Sequence, residues 1–182
     1  MDIVKRKDNN NAKKVLIVGE DKSGKSTFAE EYCKKNNLKA VVLDFLDTNY
    51  TEMDLVTDIP QDNSMKLFRF MKKFIKEFED SEYSALIIDG IDTLSDGLIS
   101  DGKGLSKYSD RGVAFNKIIR LLKKTNKSII FIGQTNFDMD FYHNEETPNR
   151  PVILTNAFVN EKFRCKRVNE SFNVETVSRR GV

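Results

Sequence analysis

Short unbroken apolar runs separated by amphipathic stretches set the rhythm of this chain. Val15-Leu16-Ile17-Val18, Ala40-Val41-Val42-Leu43, Ala85-Leu86-Ile87-Ile88 and Ser128-Ile129-Ile130-Phe131-Ile132-Gly133 are the four clearest runs. Continuous apolar segments of this length, rich in Val and Ile, predict strands buried on both faces. Between them, Lys25 to Lys35 predicts a helix with Phe28, Ala29, Tyr32 and Cys33 on one side. Leu67, Phe68, Met71, Phe74, Ile75 and Phe78 recur at helical spacing and predict a helix whose stripe faces the core. A further helix is expected from about Val113 to Lys124. Strands alternating with helices imply an α/β fold with a mostly parallel sheet flanked by helices.

The remaining segments read less regularly. Residues 1–12 are polar and Asn-rich, and are expected to form a flexible lead-in. Ser95–Gly112 and Asn136–Arg150 read as two long polar loops, and Pro151-Val152-Ile153-Leu154 as another strand. Phe163–Val168 and Phe172–Val177, joined by Asn169-Glu170-Ser171, alternate like a C-terminal β-hairpin over about residues 160–180. No internal repeat or Pro/Gly-rich linker divides the 182 residues, so residues 13–182 are expected to form a single domain.

Composition narrows the class. With 39% hydrophobic and 32% charged residues the chain is globular rather than disordered. No apolar run approaches a membrane span, and the N-terminus is charged rather than signal-like. A soluble, cytoplasmic protein without a membrane partner is expected. Cys33 and Cys165 lack paired spacing and read as reduced thiols rather than a zinc site. His143, the single histidine, reads as a surface residue. The net charge of +2 neither demands nor excludes nucleic acid, but basic residues gather at Lys5–Lys14, Lys117–Lys127 and Lys162–Arg167.

The chemistry lies at the carboxyl ends of the predicted strands, where parallel α/β sheets bind ligands. Gly19-Glu20-Asp21-Lys22-Ser23-Gly24-Lys25-Ser26 fits the phosphate-binding pattern G-x-x-x-x-G-K-[ST], with Thr27 completing the loop. Glycines let the backbone wrap a phosphate, Lys25 supplies a charge to the β/γ-phosphates, and the Ser26 hydroxyl serves Mg²⁺. The following helix aims its positive end at the anion. ATP and Mg²⁺ are the expected cofactors. Asp89 ends an apolar strand, as a Walker B aspartate does, and is the second expected metal-site residue. Gln134 closes the fourth strand, where its amide can touch a γ-phosphate and report it to the next loop.

This order of a Walker A loop, an acid-ended second strand, Leu86-Ile87-Ile88-Asp89 and Ile130-Phe131-Ile132-Gly133-Gln134 resembles the RecA-like ATPase core over roughly residues 13 to 158. In size the chain looks closest to reduced RecA-like ATPases of bacteriophages, which act in single-strand annealing or recombination. The resemblance implies a RecA-like P-loop NTPase in which Lys25, Ser26 and Asp89 hold Mg-ATP and Gln134 couples ATP to DNA. It further implies DNA-stimulated ATP hydrolysis, single-stranded DNA as partner, ring or filament homo-oligomers, and association with single-strand-binding or other recombination proteins. The compartment would be the host cytoplasm for a phage-encoded chain. The two polar loops occupy the places of the family's DNA-binding loops, and the first offers Lys103, Lys107, Tyr108 and Arg111. The family completes its site with a cation from a neighbouring subunit, for which Lys162, Arg164, Lys166 and Arg167 are candidates.

One departure stands out. The family places a catalytic glutamate shortly after the second strand, where it orients water; Leu46 holds that position here. Either Asp47, the nearest acid, takes over as base, or hydrolysis is slow and ATP acts mainly as a switch. Two rivals share the P-loop. A small nucleotide kinase fits the size, although Asp110-Arg111 lies far from any apolar run and no Arg-rich lid is visible. A nucleotide-gated interaction module or loader fits the missing glutamate, and a packaging or helicase-type motor with slow hydrolysis shares the same core.

Overall fold

The computed structural model describes residues 12–48, 50–99, 106–137, 146–148 and 150–179. Among the described residues, the strands β1 (Lys14–Gly19), β2 (Ala40–Asp44), β3 (Asp54–Leu55), β4 (Ala85–Asp89), β5 (Ser128–Phe137), β6 (Glu146–Pro148), β7 (Glu161–Val168) and β8 (Ser171–Arg179) alternate with five helices. These are α1 (Lys25–Lys35), α2 (Ser64–Asp80), α3 (Ile91–Gly97), α4 (Ser106–Lys124) and α5 (Arg150–Asn156). The sheet runs β3-β2-β4-β5-β1-β7-β8, parallel from β3 to β7, with β8 antiparallel to β7 and β6 antiparallel to the end of β5. The α/β architecture with a mostly parallel sheet and a C-terminal hairpin is the one the sequence predicts.

Strand alternation divides the core between two faces. Leu16, Val18, Leu43, Leu86, Ile88 and Phe131 pack with α2 to α5, including Leu67, Met71, Ile75 and Phe78 of the predicted stripe and Phe115 of α4. Val15, Ile17, Val42, Ile87, Ile130 and Ile132 pack on the other face with Ala29, Tyr32 and Cys33 of α1 and Phe163 of β7. Each central strand thus buries both of its faces, which is why these strands read as unbroken apolar runs. Both cysteines are free and buried in this second layer. Burial pushes the Cys33 thiol up to about 12 and the Cys165 thiol up to about 11, leaving neither as a ready thiolate.

Four sequence expectations change. Ser95–Gly112 is not one loop: α3 covers Ile91–Gly97, and α4 begins at Ser106 rather than near Val113. Ile91, Leu94 and Leu98 are buried at helical spacing, a short stripe hidden among Asp, Ser and Gly. Lys107, Tyr108 and Arg111 therefore lie in the first turns of α4, and Lys103 lies outside the described residues. Asn136–Arg150 begins as strand, since β5 runs on to Phe137 and β6 pairs back against it. His143 lies outside the described residues. Pro151–Leu154 is the body of α5 and not a strand. Proline is tolerated in a first helical turn, and burial of Pro151, Val152 and Thr155 against the sheet overrides the strand preference of Val152 and Ile153.

Candidate functional site

The P-loop follows directly from β1, and its shape rests on sterics. A Cβ on Gly19 would come 2.3 Å from the Cys165 carbonyl oxygen and 2.6 Å from Ser23 Oγ, so a side chain has no room at the strand end. Gly24 takes φ +82 at the N-cap of α1, a left-handed conformation in which a side chain is strained. Between them the loop encloses Ser23, whose hydroxyl is buried with no hydrogen-bond partner in the protein. An unpaired buried hydroxyl beside a helix N-terminus suits an acceptor-rich anion, and phosphate oxygens meet that requirement. Lys25 is buried, and its ammonium donates to the Glu20 carbonyl at 2.5 Å. Burial pushes its pKa down, while Asp89 and then Asp21 oppose the shift.

Strand order brings in the acidic partner. β5 lies between β1 and β4, with Gly19 beside Gln134 and Asp89 beside Ile132. The tips of three adjacent strands thus present the P-loop, Gln134 and Asp89 in sequence across the sheet. Ser26 Oγ donates to Asp89 Oδ2 at 2.7 Å, joining positions 63 residues apart. The oxygen pair suits a hard cation such as Mg²⁺, which takes one or two protein oxygens and completes its shell with phosphate and water. Among the described residues there is no cluster of three or more His, Cys, Asp or Glu that would make an all-protein metal cage.

Tyr50 was not legible in the sequence. Its hydroxyl donates to the same Asp89 oxygen at 2.6 Å, and the residue is buried. Burial first, then the Asp89 charge and its hydrogen bond, push the phenol well above its ordinary range, so it stays a donor. Tyr50→Phe is expected to cost about 2 kcal/mol of unfolding free energy near pH 7, the scale of a hydrogen bond to a charged acceptor. A folded-state pKa raised above the unfolded one contributes stability that is complete below about pH 10 and is lost above it. Urea unfolding should therefore show the gap between Tyr50→Phe and the unaltered protein closing as pH passes about 10. A gap that widens there would contradict the assignment.

The segment after β2 carries the departure noted above. Asp44 Oδ1 accepts the Leu46 backbone N–H at 3.0 Å, and burial and the neighbouring Asp89 raise its pKa. That turn places Leu46 on the cleft wall, 41% exposed. Asp47 is exposed, at φ 52, and lies outside the described lining of the cleft.

These groups border a cleft of about 390 Å³, within the range of small-molecule sites. Its wall comprises Asp21 through Thr27, Leu46, Thr48, Asp89, Gln134, Arg167 and Phe172. Gly19 and Glu20 form the base of the same loop. Asp92, in the first turn of α3, accepts the Gln134 backbone N–H at 2.8 Å and so fixes that strand end. Of the four cations considered for a neighbouring site, Arg167 lines the cleft of its own chain, and Lys166 pairs with Glu175 at 3.3 Å. Lys162 and Arg164 lie on β7 outside the cleft's described lining. Arg167 and Phe172 sit directly opposite each other on β7 and β8. The hairpin pattern was visible in the sequence, whereas its approach to the P-loop was not.

No helix among the described residues is long and apolar enough to cross a membrane. A family model described as AAA domain matches residues 11–153, which takes in the P-loop, Asp89 and Gln134. No curated protein matches the chain.

Proposed function

Since this chain belongs to the AAA domain family, we propose that its nucleotide-binding ATPase domain works on single-stranded DNA, in recombination or strand annealing of the phage RecA-like kind, with slow turnover of ATP. The observation that carries the reading is the Ser26–Asp89 bond, made across a sheet in which the Gln134 strand lies between the two. Phosphates would be held by the P-loop N–H groups, Ser23 and Lys25, and Mg²⁺ by Ser26 with Asp89. Bound there, Mg²⁺ supplies positive charge against the β- and γ-phosphates. Gln134, whose backbone N–H is held by Asp92 and which lines the same cleft, would pass the presence of a γ-phosphate along β5. Lys107, Tyr108 and Arg111 would meet DNA from the start of α4, and homo-oligomers would form on the strand.

Slow turnover is inferred from Leu46, an apolar side chain on the cleft wall where a water-orienting acid is needed. The same residue supports a second reading, a nucleotide-gated loader in which binding rather than hydrolysis does the switching, or a packaging or helicase-type motor with slow hydrolysis. One assay separates these from the nucleotide kinase. ATP turnover is measured alone, with single-stranded DNA, and with mixed nucleoside monophosphates. The first reading expects a several-fold rise with DNA that fades as salt increases. ADP formed only with monophosphates identifies a kinase, and ATP binding without turnover under all three conditions identifies the gated switch.

A further inference from the structure

The terminal hairpin has a role at the cleft that the phosphate and metal chemistry leave unused. Resting on the nucleotide reading above, we infer that Phe172 is the platform on which the nucleobase of the bound nucleotide stacks, with Arg167 beside it on the same wall. The first argument is direction. Asp89 and Gln134 stand on one side of β1, on β4 and β5, whereas Arg167 and Phe172 stand on the other, on β7 and β8. A triphosphate is a linear ligand. With its metal-bearing end drawn toward Asp89, its nucleoside end leaves toward the hairpin.

The second argument is what the hairpin presents there. On β7, Phe163, Cys165 and Arg167 share one face, and the first two are buried in the layer that holds α1. Phe172, paired with Arg167, therefore comes out on the α1 side, and its ring touches the start of that helix. A Cβ on Gly24 would meet Phe172 Cδ1 at 2.9 Å. Yet 56% of Phe172 remains exposed, on the wall of the cleft. A ring buried for structural reasons would hide both faces. A ring that packs beside Gly24 and still keeps more than half of its surface open on the cleft wall offers an apolar area that a base can cover. The planar guanidinium opposite adds a cation beside that stack, where the ribose and α-phosphate would lie.

The test uses ligands with and without a base. Calorimetric titration of the full chain with Mg-ATP and with inorganic magnesium tripolyphosphate is repeated on Phe172→Ala. Loss of about tenfold in ATP affinity, with tripolyphosphate changed less than about twofold, is expected from the loss of one aromatic–base stack. Equal losses for the two ligands, or none for either, overturn the inference, the former because the ring would then serve only to hold the P-loop. The chain contains no tryptophan. Phe172→Trp thus gives a protein whose entire indole fluorescence comes from this wall, and which keeps an aromatic ring packed where alanine would remove it. Mg-ATP should change that emission and tripolyphosphate should not; an emission indifferent to bound ATP, or equally responsive to both ligands, also overturns the inference. If the unaltered protein binds neither ligand, the nucleotide-site reading fails and takes the base platform with it. If it binds both without any base-dependent signal, only the platform falls.

Discussion

Replacing Lys25 by alanine is expected to lower affinity for Mg-ATP by at least about 100-fold, the usual scale of removing one partner from a buried charged pair. The buried ammonium reaches back to the Glu20 carbonyl and shares its surroundings with Asp89 and Asp21. Phosphate oxygens would be a far better acceptor than one carbonyl, and they would also reverse the downward push that burial gives the lysine. Alanine would leave the phosphates with backbone N–H groups, the Ser23 hydroxyl and the Mg²⁺ that travels with them, and without a side-chain cation at that position. Stability without ligand should hardly fall, because a cation that burial disfavours is being removed. The discriminating measurement is the gain in unfolding free energy from ligand, about 2.7 kcal/mol at a hundredfold excess over Kd for the unaltered protein. That gain should fall to about 0.4 kcal/mol or less in Lys25→Ala at the same concentration. Affinity within about threefold of the unaltered protein would place the phosphates elsewhere.

Leu46→Glu is expected to raise ATP turnover by roughly 100-fold, the lower end of what a positioned general base contributes. Leu46 is already part-exposed on the cleft wall, so a carboxylate there is not driven into an apolar core. The Asp44 Oδ1 bond to the Leu46 backbone stays, since it uses no atom of the replaced side chain. Asp44 and Asp89 end paired strands close by, and their charges would raise the new carboxyl's pKa toward neutrality. Turnover of the variant should therefore climb with pH as that group ionises, while the unaltered protein lacks this limb. Steady-state ADP release across pH checks both the size and the slope. A variant that binds Mg-ATP normally but turns it over no faster means that the water is not held at position 46. Asp47→Ala should then be the variant that loses turnover.

The two predictions draw on information of different kinds. Strands β1, β2, β4 and β5 were legible because central strands bury both faces, and the P-loop because phosphate binding constrains backbone and side chains at fixed spacing. Asp89 could be placed at a strand end from the sequence, whereas Gln134, expected to close its strand, lies where the pairing with β1 stops and β5 runs on to Phe137; nothing in the sequence set the strand order that makes the two neighbours of Gly19–Ser26. Tyr50 was illegible for a related reason. It sits in an irregular acidic stretch with no periodicity, and its partner is 39 residues away. Helices α3 and α5 were missed because seven-residue elements present too few turns for a 3.6-residue pattern to rise above local composition. In α5 the β-branched Val152 and Ile153 actively pointed the wrong way. Phe172 read correctly as a hairpin residue, while its contact with Gly24 depends on a register that only the folded sheet fixes.

One oxygen of Asp89 takes hydrogen bonds from both Ser26 and Tyr50. This has a consequence for the order of events. A hydrated magnesium ion approaching that oxygen would compete with two hydroxyl protons already in place, and its bound waters would be donors rather than acceptors for them. An ion travelling with a triphosphate brings oxygens of its own, so the displaced donors have somewhere to turn. Held by Ser26 and Asp89, the metal would therefore enter more readily with the nucleotide than alone, because the nucleotide's oxygens can take up the two hydroxyl protons that it displaces.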